Sequence, residues 1–145
     1  MVKLLYNSTM IEINNLTKFA VDKRFFLGVA KLVLKGENRE LEDLSIAFVG
    51  PEEIKKSNKE YRGKDKPTDV LSFGSKMGFE KDFMEVVICP EVVAKKTNSS
   101  GDELKRELAK SLIHGILHNL GYDHERSEKD EEVMEQKQNQ YLLKI

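Results

Sequence analysis

His114, His118 and His124 are the only histidines of the chain, and they fall in one segment, His114-Gly115-Ile116-Leu117-His118-Asn119-Leu120-Gly121-Tyr122-Asp123-His124. Histidines four residues apart on a helix lie one turn apart on the same face, about 5–6 Å between Cβ atoms, so both rings can reach one ion. Gly121 predicts the end of that helix. Glycine enters the left-handed conformation without a Cβ penalty, and such a turn can bring His124 back over the helix end as a third ligand. Three protein nitrogens leave a tetrahedral ion one open position, the arrangement of a catalytic rather than a structural site. The expected cofactor is therefore one divalent metal ion, zinc first by ligand type, although imidazole also suits nickel, copper and iron. Asp123 stands beside the third histidine as a group that could orient a ligand, serve as an alternative base, or only cap the helix end.

Such a site needs a rigid, buried helix to carry it. Leu104, Leu108, Leu112, Ile116 and Leu120 recur every four residues, joined by Ala109, Ile113 and Leu117, which predicts a central helix apolar over much of its circumference. Ser100-Gly101-Asp102-Glu103 predicts its start as a capping box, with Ser100 as N-cap and Glu103 reaching back. Upstream, the pattern predicts a short strand at Leu4, Leu5 and Tyr6, then a helix from about Thr17 to Lys35 that buries Phe19, Phe26, Val29, Ala30 and Val33. A loosely alternating strand from Leu41 to Val49 precedes a helix opened by Pro51-Glu52-Glu53 and running to about Tyr61. A charged loop from Arg62 to Asp69 leads into strands at Val70–Phe73 and Glu85–Cys89, and Pro90-Glu91 opens a short helix. A last amphipathic helix from Ser127 to about Leu143 is expected to turn Val133, Met134, Tyr141 and Leu142 inward.

A chain of 145 residues suits one domain, residues 1–145, with a proper core. Its 34% charged and 39% hydrophobic residues fit a folded globular protein rather than a disordered one. A formal net charge of -1 gives no global nucleic-acid signature, so any RNA-binding surface must be local. Cys89 is the only cysteine, which excludes an intrachain disulfide and a cysteine zinc cage and fits a reducing, cytoplasmic setting. The apolar run near Met1 is too short for a signal-peptide core, and no stretch approaches transmembrane length, so neither secretion nor a membrane partner is expected.

The histidine skeleton matches that of the metzincin metalloproteases, in which the second position is a glutamate acting as general base. Here that position is Gly115, and without the carboxylate the group that would take a proton from the attacking water is missing. Gly115 is expected instead to leave room beside the metal for a phosphate and ribose.

With Gly115 in place, this segment and the stretch Asn58-Lys59-Glu60-Tyr61-Arg62-Gly63-Lys64-Asp65-Lys66-Pro67-Thr68-Asp69-Val70-Leu71-Ser72-Phe73 together resemble the YbeY family of metal-dependent endoribonucleases. The similarity in the order of elements runs from about Leu41 to the C-terminus. It implies a compact α+β fold, a small mixed β-sheet packed with helices around the histidine-bearing helix. It also implies one metal on His114, His118 and His124, with Arg62 as the basic residue facing the substrate. The activity implied is a single-strand-specific endoribonuclease acting in small-subunit ribosomal RNA 3′-end processing and ribosome maturation, with ribosomal RNA and the small subunit as partners. Where the family usually has Gly-Asp-Ile, this chain has Met84-Glu85-Val86, which keeps an acid but lengthens it.

Lys55, Lys56, Lys59, Arg62, Lys64 and Lys66 stand against only Glu60 and Asp65 in the same stretch. Lys59, Tyr61, Arg62, Lys64 and Lys66 are the candidate substrate contacts, with Arg62 the candidate catalytic residue. Its planar fork can hold a phosphate through two parallel hydrogen bonds and offset charge developing on a phosphorane. Tyr61 can stack a base, or simply pack with its hydroxyl exposed. The competing reading of the lysines is a solvated helix face. Thr68-Asp69 is expected to be structural, and Phe73 to belong to the core. The nucleophile is either a metal-activated water or the substrate 2′-hydroxyl. A non-enzymatic RNA-binding assembly factor with a structural metal is the alternative reading, and a zincin-like metalloprotease a distant one.

Overall fold

The computed structural model describes residues 10–75, 83–122 and 127–145. Its elements run β1 (Ile11–Asn15), α1 (Lys23–Gly36), β2 (Asp43–Phe48), α2 (Pro51–Arg62), β3 (Val70–Ser75), β4 (Phe83–Ile88), α3 (Pro90–Thr97), α4 (Gly101–Asn119) and α5 (Glu128–Leu142). The four strands form one sheet in the order β1-β2-β4-β3. β1, β2 and β4 are parallel, and β3 runs antiparallel to β4 at the edge. Parallel neighbours require a crossover, and α1 makes the one from β1 to β2. This is the α+β fold with a small mixed sheet that the sequence implies.

Alternation along the strands assigns the two faces. Leu44, Ile46 and Phe48 of β2 stand in register with Met84, Val86 and Ile88 of β4, and all six enter the main core with α1, α4 and α5. Successive strand residues point to opposite faces, so Val87 and Leu71 face the other way and pack with Val49, Ile54 and Cys89 beneath α2. Helix α4 lies at the centre of the larger core, with Ala109, Leu112, Ile113, Ile116 and Leu117 all at 0% exposure. Among the described residues, no helix is long and apolar enough to cross a membrane.

Several local expectations change. The expected strand at Leu4 to Tyr6 lies outside the described residues, and β1 forms at Ile11–Asn15, where none was foreseen. Helix α1 starts at Lys23 rather than near Thr17, because side chains there compete with the helix for backbone groups. Asn15 Oδ1 accepts from the Thr17 amide at 3.0 Å and Thr17 Oγ1 from the Phe19 amide at 3.1 Å, forming a turn. Asp22 then caps the helix through the Phe25 amide. Phe19 consequently sits in that turn, 36% exposed. Ser100 is the N-cap of α4 but makes no side-chain capping bond, so the capping box does not close. On α5, Met134, Tyr141 and Leu142 are buried as expected, whereas Val133 is 41% exposed, off the inward stripe.

Glu37, just past α1, ties three helices together. Its carboxylate accepts from the Tyr122 hydroxyl at 2.7 Å, beyond the end of α4, and on α5 from Lys137 Nζ at 3.3 Å and from the Tyr141 hydroxyl. Burial pushes the Glu37 carboxyl up, but the two hydroxyls and the lysine together outweigh it and hold its pKa below the ordinary 4.5. Reciprocally, the hydrogen bond to Glu37 pushes the Tyr122 hydroxyl up to about 12. Because the folded-state pKa of Glu37 is depressed, the stability it contributes is present above its ordinary value and lost as pH falls through the folded one. Glu37→Gln is therefore expected to lower Tm by roughly 5 °C at pH 7 and to flatten the decline of Tm below about pH 4.5. Parallel acid-side melting profiles for parent and variant would refute this.

Candidate metal and RNA cleft

An open cleft of about 1490 Å³ runs between the C-terminal end of α2 with its following loop, strand β3, and the later turns of α4. Helix α2 delivers the first wall. Its apolar stripe passes through Ile54 to Asn58, one turn later, and Asn58 is 1% exposed. The Asn58 side-chain amide donates to the Lys66 carbonyl at 2.9 Å, pinning the loop back onto the helix. Further along, Asp69 Oδ1 accepts from the Val70 amide at 2.9 Å and from the Thr68 hydroxyl at 3.3 Å, Oδ2 pairs with Lys96 at 3.2 Å, and the Asp69 carbonyl accepts from the Cys89 amide. Thr68-Asp69 thus fixes the loop to the sheet, as expected from the sequence.

Arg62, Tyr61, Lys64 and Lys66 line the cleft and are exposed. Lys59 does not line it. Its ammonium lies 4.0 Å from Asp65, and Lys56 faces the cleft instead. Glu53, Glu60, Asp69 and Glu85 also line the cleft, so its wall is of mixed sign rather than uniformly basic. Tyr61 is 65% exposed, and its ring lies 4.7 Å from that of Phe73, tilted by 54°. Phe73 is only half-buried and joins the smaller cluster from its margin rather than its centre.

The opposite wall is α4. His114 and His118 both line the cleft, the first half-buried and the second exposed. Past them the helix closes as a Schellman turn. The Tyr122 amide donates to the Leu117 carbonyl and the Gly121 amide to that of His118, both at 3.1 Å, with Gly121 at φ +106. Gly121 therefore ends the helix as its position predicts. His124 and Asp123 lie outside the described residues, and among the described residues no group of three or more His, Cys, Asp or Glu could hold a metal. The pair that is described suits a metal chemically. His114 Nδ1 lies 3.2 Å from Gln138 Oε1 on α5, which leaves Nε2 as the ring nitrogen that could take a metal.

Gly115 does not do what the sequence suggested. Although it lies at the cleft floor, a Cβ there would sit 2.7 Å from Val86 Cγ1 and 3.3 Å from Val70 Cγ2. The missing side chain gives room to the sheet, not to a phosphate and ribose. Three other residues escaped the sequence reading. Gln138 and Asn58 are polar residues at inward positions of amphipathic helices, a signal that was available. Asn119, whose amide donates to the Glu85 carbonyl at 3.2 Å, offered none.

Residues 11–145 match the sequence model of the family described as Endoribonuclease YbeY. The chain is 36% identical over 128 residues to the Endoribonuclease YbeY of Thermotoga neapolitana, covering 81% of this chain and 84% of the relative. It is 39% identical over 134 residues to that of Staphylococcus saprophyticus, covering 84% and 87%. A Thermotoga maritima protein solved in solution superposes with a TM-score of 0.64 at 33% identity, covering 92% of this chain and 87% of its own.

The packing at Gly115 can be read by its sign. Alanine gains about 1 kcal/mol of helix propensity over glycine, but overpacking costs about 1–3 kcal/mol, and Val86 is branched and 0% exposed, unable to move aside. Gly115→Ala is expected to destabilise the parent in urea melts yet to be neutral or stabilising in a Val86→Ala background. Additive effects of the two substitutions would refute the contact.

Proposed function

The chain belongs to the YbeY family of endoribonucleases, and from that premise we propose that it is a metal-dependent, single-strand-specific endoribonuclease of small-subunit ribosomal RNA 3′-end processing. In this reading it acts in the cytoplasm on ribosomal RNA or the small subunit, as a single domain spanning residues 1–145. The observation that carries it is one cleft lined on one wall by His114 and His118 and on the other by Arg62 and Tyr61.

His114, His118 and His124 hold the metal, with zinc the first candidate and nickel or another transition metal also suited. Bound there, the ion supplies Lewis-acid chemistry, acidifying a water or polarising a phosphate oxygen. Arg62 clamps the scissile phosphate in line and offsets charge developing on it. Lys64 and Lys66 take neighbouring phosphates, and Tyr61, backed by Phe73, offers a face for base stacking, which favours single strands because paired bases are not free to stack on protein. Lys59, paired toward Asp65 and outside the cleft lining, is the weakest of the candidate substrate contacts. Asp123, next to His124 in sequence, is the candidate to orient that third ligand. With a 2′-hydroxyl nucleophile the product would carry a cyclic phosphate.

The purified protein is expected to contain about one divalent transition metal per chain and to cleave a single-stranded ribosomal RNA fragment. Chelator should abolish cleavage and added metal restore it. Elemental analysis of a variant with His114 and His118 both replaced by alanine decides the site: unchanged metal content sinks the assignment.

Arg62→Ala is expected to lower RNA cleavage about a hundredfold or more with metal content and Tm unchanged, since Arg62 is exposed. Lysine should restore activity only in part, because an ammonium keeps the charge and loses the paired hydrogen bonds. Full activity in the alanine variant would make Arg62 ordinary surface.

A further inference from the structure

Gln138 lies on the inward stripe of α5, one turn after Met134 and one turn before Tyr141 and Leu142, and is 8% exposed. A glutamine amide buried in such company costs free energy unless its polar atoms are bonded. Its Oε1 lies 3.2 Å from Nδ1 of His114, across the interface of α5 with α4 and away from the RNA-facing side of the cleft. An amide oxygen only accepts, so the contact puts the proton on Nδ1 and the lone pair on Nε2.

We infer that Gln138 is a positioning residue for the metal, fixing the tautomer and ring plane of His114 so that Nε2 is the ligating atom. The inference rests on the metal reading proposed above and adds to it a residue from a helix that contributes nothing else to the cleft. A histidine ligand whose second nitrogen is held by an acceptor is preoriented and more basic, and losing such a partner typically weakens metal binding 10–100-fold. Gln138 needs no contact with RNA for this role, so its signature is in metal affinity and not in substrate binding.

The test is zinc binding in competition with a chromogenic chelator, measured for the parent, Gln138→Leu, Gln138→Glu and His114→Ala, alongside Tm of each metal-free protein. Leucine matches the volume of glutamine and removes the acceptor. Its zinc Kd is expected to rise about ten- to a hundredfold while metal-free Tm stays level or climbs, since an apolar residue suits the stripe. Glutamate keeps an acceptor and should bind zinc at least as tightly as the parent. A leucine variant with the parent's zinc Kd overturns the role, as does a glutamate variant weakened as much as the leucine one. Should the leucine variant fold poorly, the glutamate variant decides alone: zinc held as in the parent supports the role, and zinc weakened as by His114→Ala overturns it. A parent that binds no zinc, nickel or other transition metal removes the metal reading itself. That result is distinct from a parent and leucine variant that bind equally.

Discussion

The approach of α4 to the sheet at Gly115 sets the geometry on which the cleft depends. A helix packed on a sheet can rotate about its axis until some contact fixes it, and here Gly115 lies so close to Val86 and Val70 that even a methyl would collide. With that residue turned to the sheet, the others follow from 100° per residue. Ile113, Ile116 and Leu117 turn into the core, while His114 and His118, about 40° apart around the axis, reach the cleft wall. The angular position of the candidate metal site is thus determined by a residue with no side chain. The same contact disfavours any side chain at the second position of the motif: a glutamate at residue 115 would first have to push aside the Val86 side chain.

Polar contacts then fix what apolar packing leaves loose. Asn119 reaches the Glu85 carbonyl on β4, Gln138 reaches His114 from α5, and Glu37 holds Tyr122, Lys137 and Tyr141 at the meeting of α1, α4 and α5. Each such bond contributes only about 1 kcal/mol net, somewhat more where a charge is involved, which is small beside the burial of a whole helix. Their effect is directional. Hydrophobic burial names no particular partner, whereas a hydrogen bond requires a defined donor, acceptor and angle, so the polar set reinforces the one arrangement that the Gly115 contact allows.

The sequence disclosed the elements that follow strong periodic patterns. Helices α2 to α5 and strands β2 to β4 appear close to where the apolar spacing places them, and Gly121 closes α4 because its residue type fits a positive φ. β1 was not legible: Ile11-Glu12-Ile13-Asn14-Asn15 alternates, but its burial depends on pairing with β2, a tertiary fact. The late start of α1 was hidden for the opposite reason, since local side-chain bonds at Asn15 and Thr17 overrode a helical pattern that continued through them. At Gly115 the space left by the missing side chain belongs to the sheet and not to the cleft, a packing fact that the motif alone does not carry. Gln138 and Asn58 show a signal that was present: a polar residue at a buried position of an amphipathic stripe has to be bonded to something, and here the partners are a candidate metal ligand and the loop that carries the cleft's cations.

The mixed charge of the cleft bears on how RNA would be chosen. The chain carries a net charge of -1, and Lys56, Arg62, Lys64 and Lys66 share the wall with Glu53, Glu60 and Glu85. Fields from such interspersed charges partly cancel and are screened within a Debye length, about 8 Å at physiological salt, so long-range attraction of a polyanion is weak. In the proposed reading, discrimination falls to short-range features: the donor fork of Arg62, the exposed Tyr61 ring resting on Phe73, and the half-buried His114 beside the exposed His118. Bases locked in a helix could not meet an aromatic face at that position, while unpaired ones could. Closely spaced charges of both signs around an exposed aromatic ring favour a ligand held by short-range contacts over one held by its net charge.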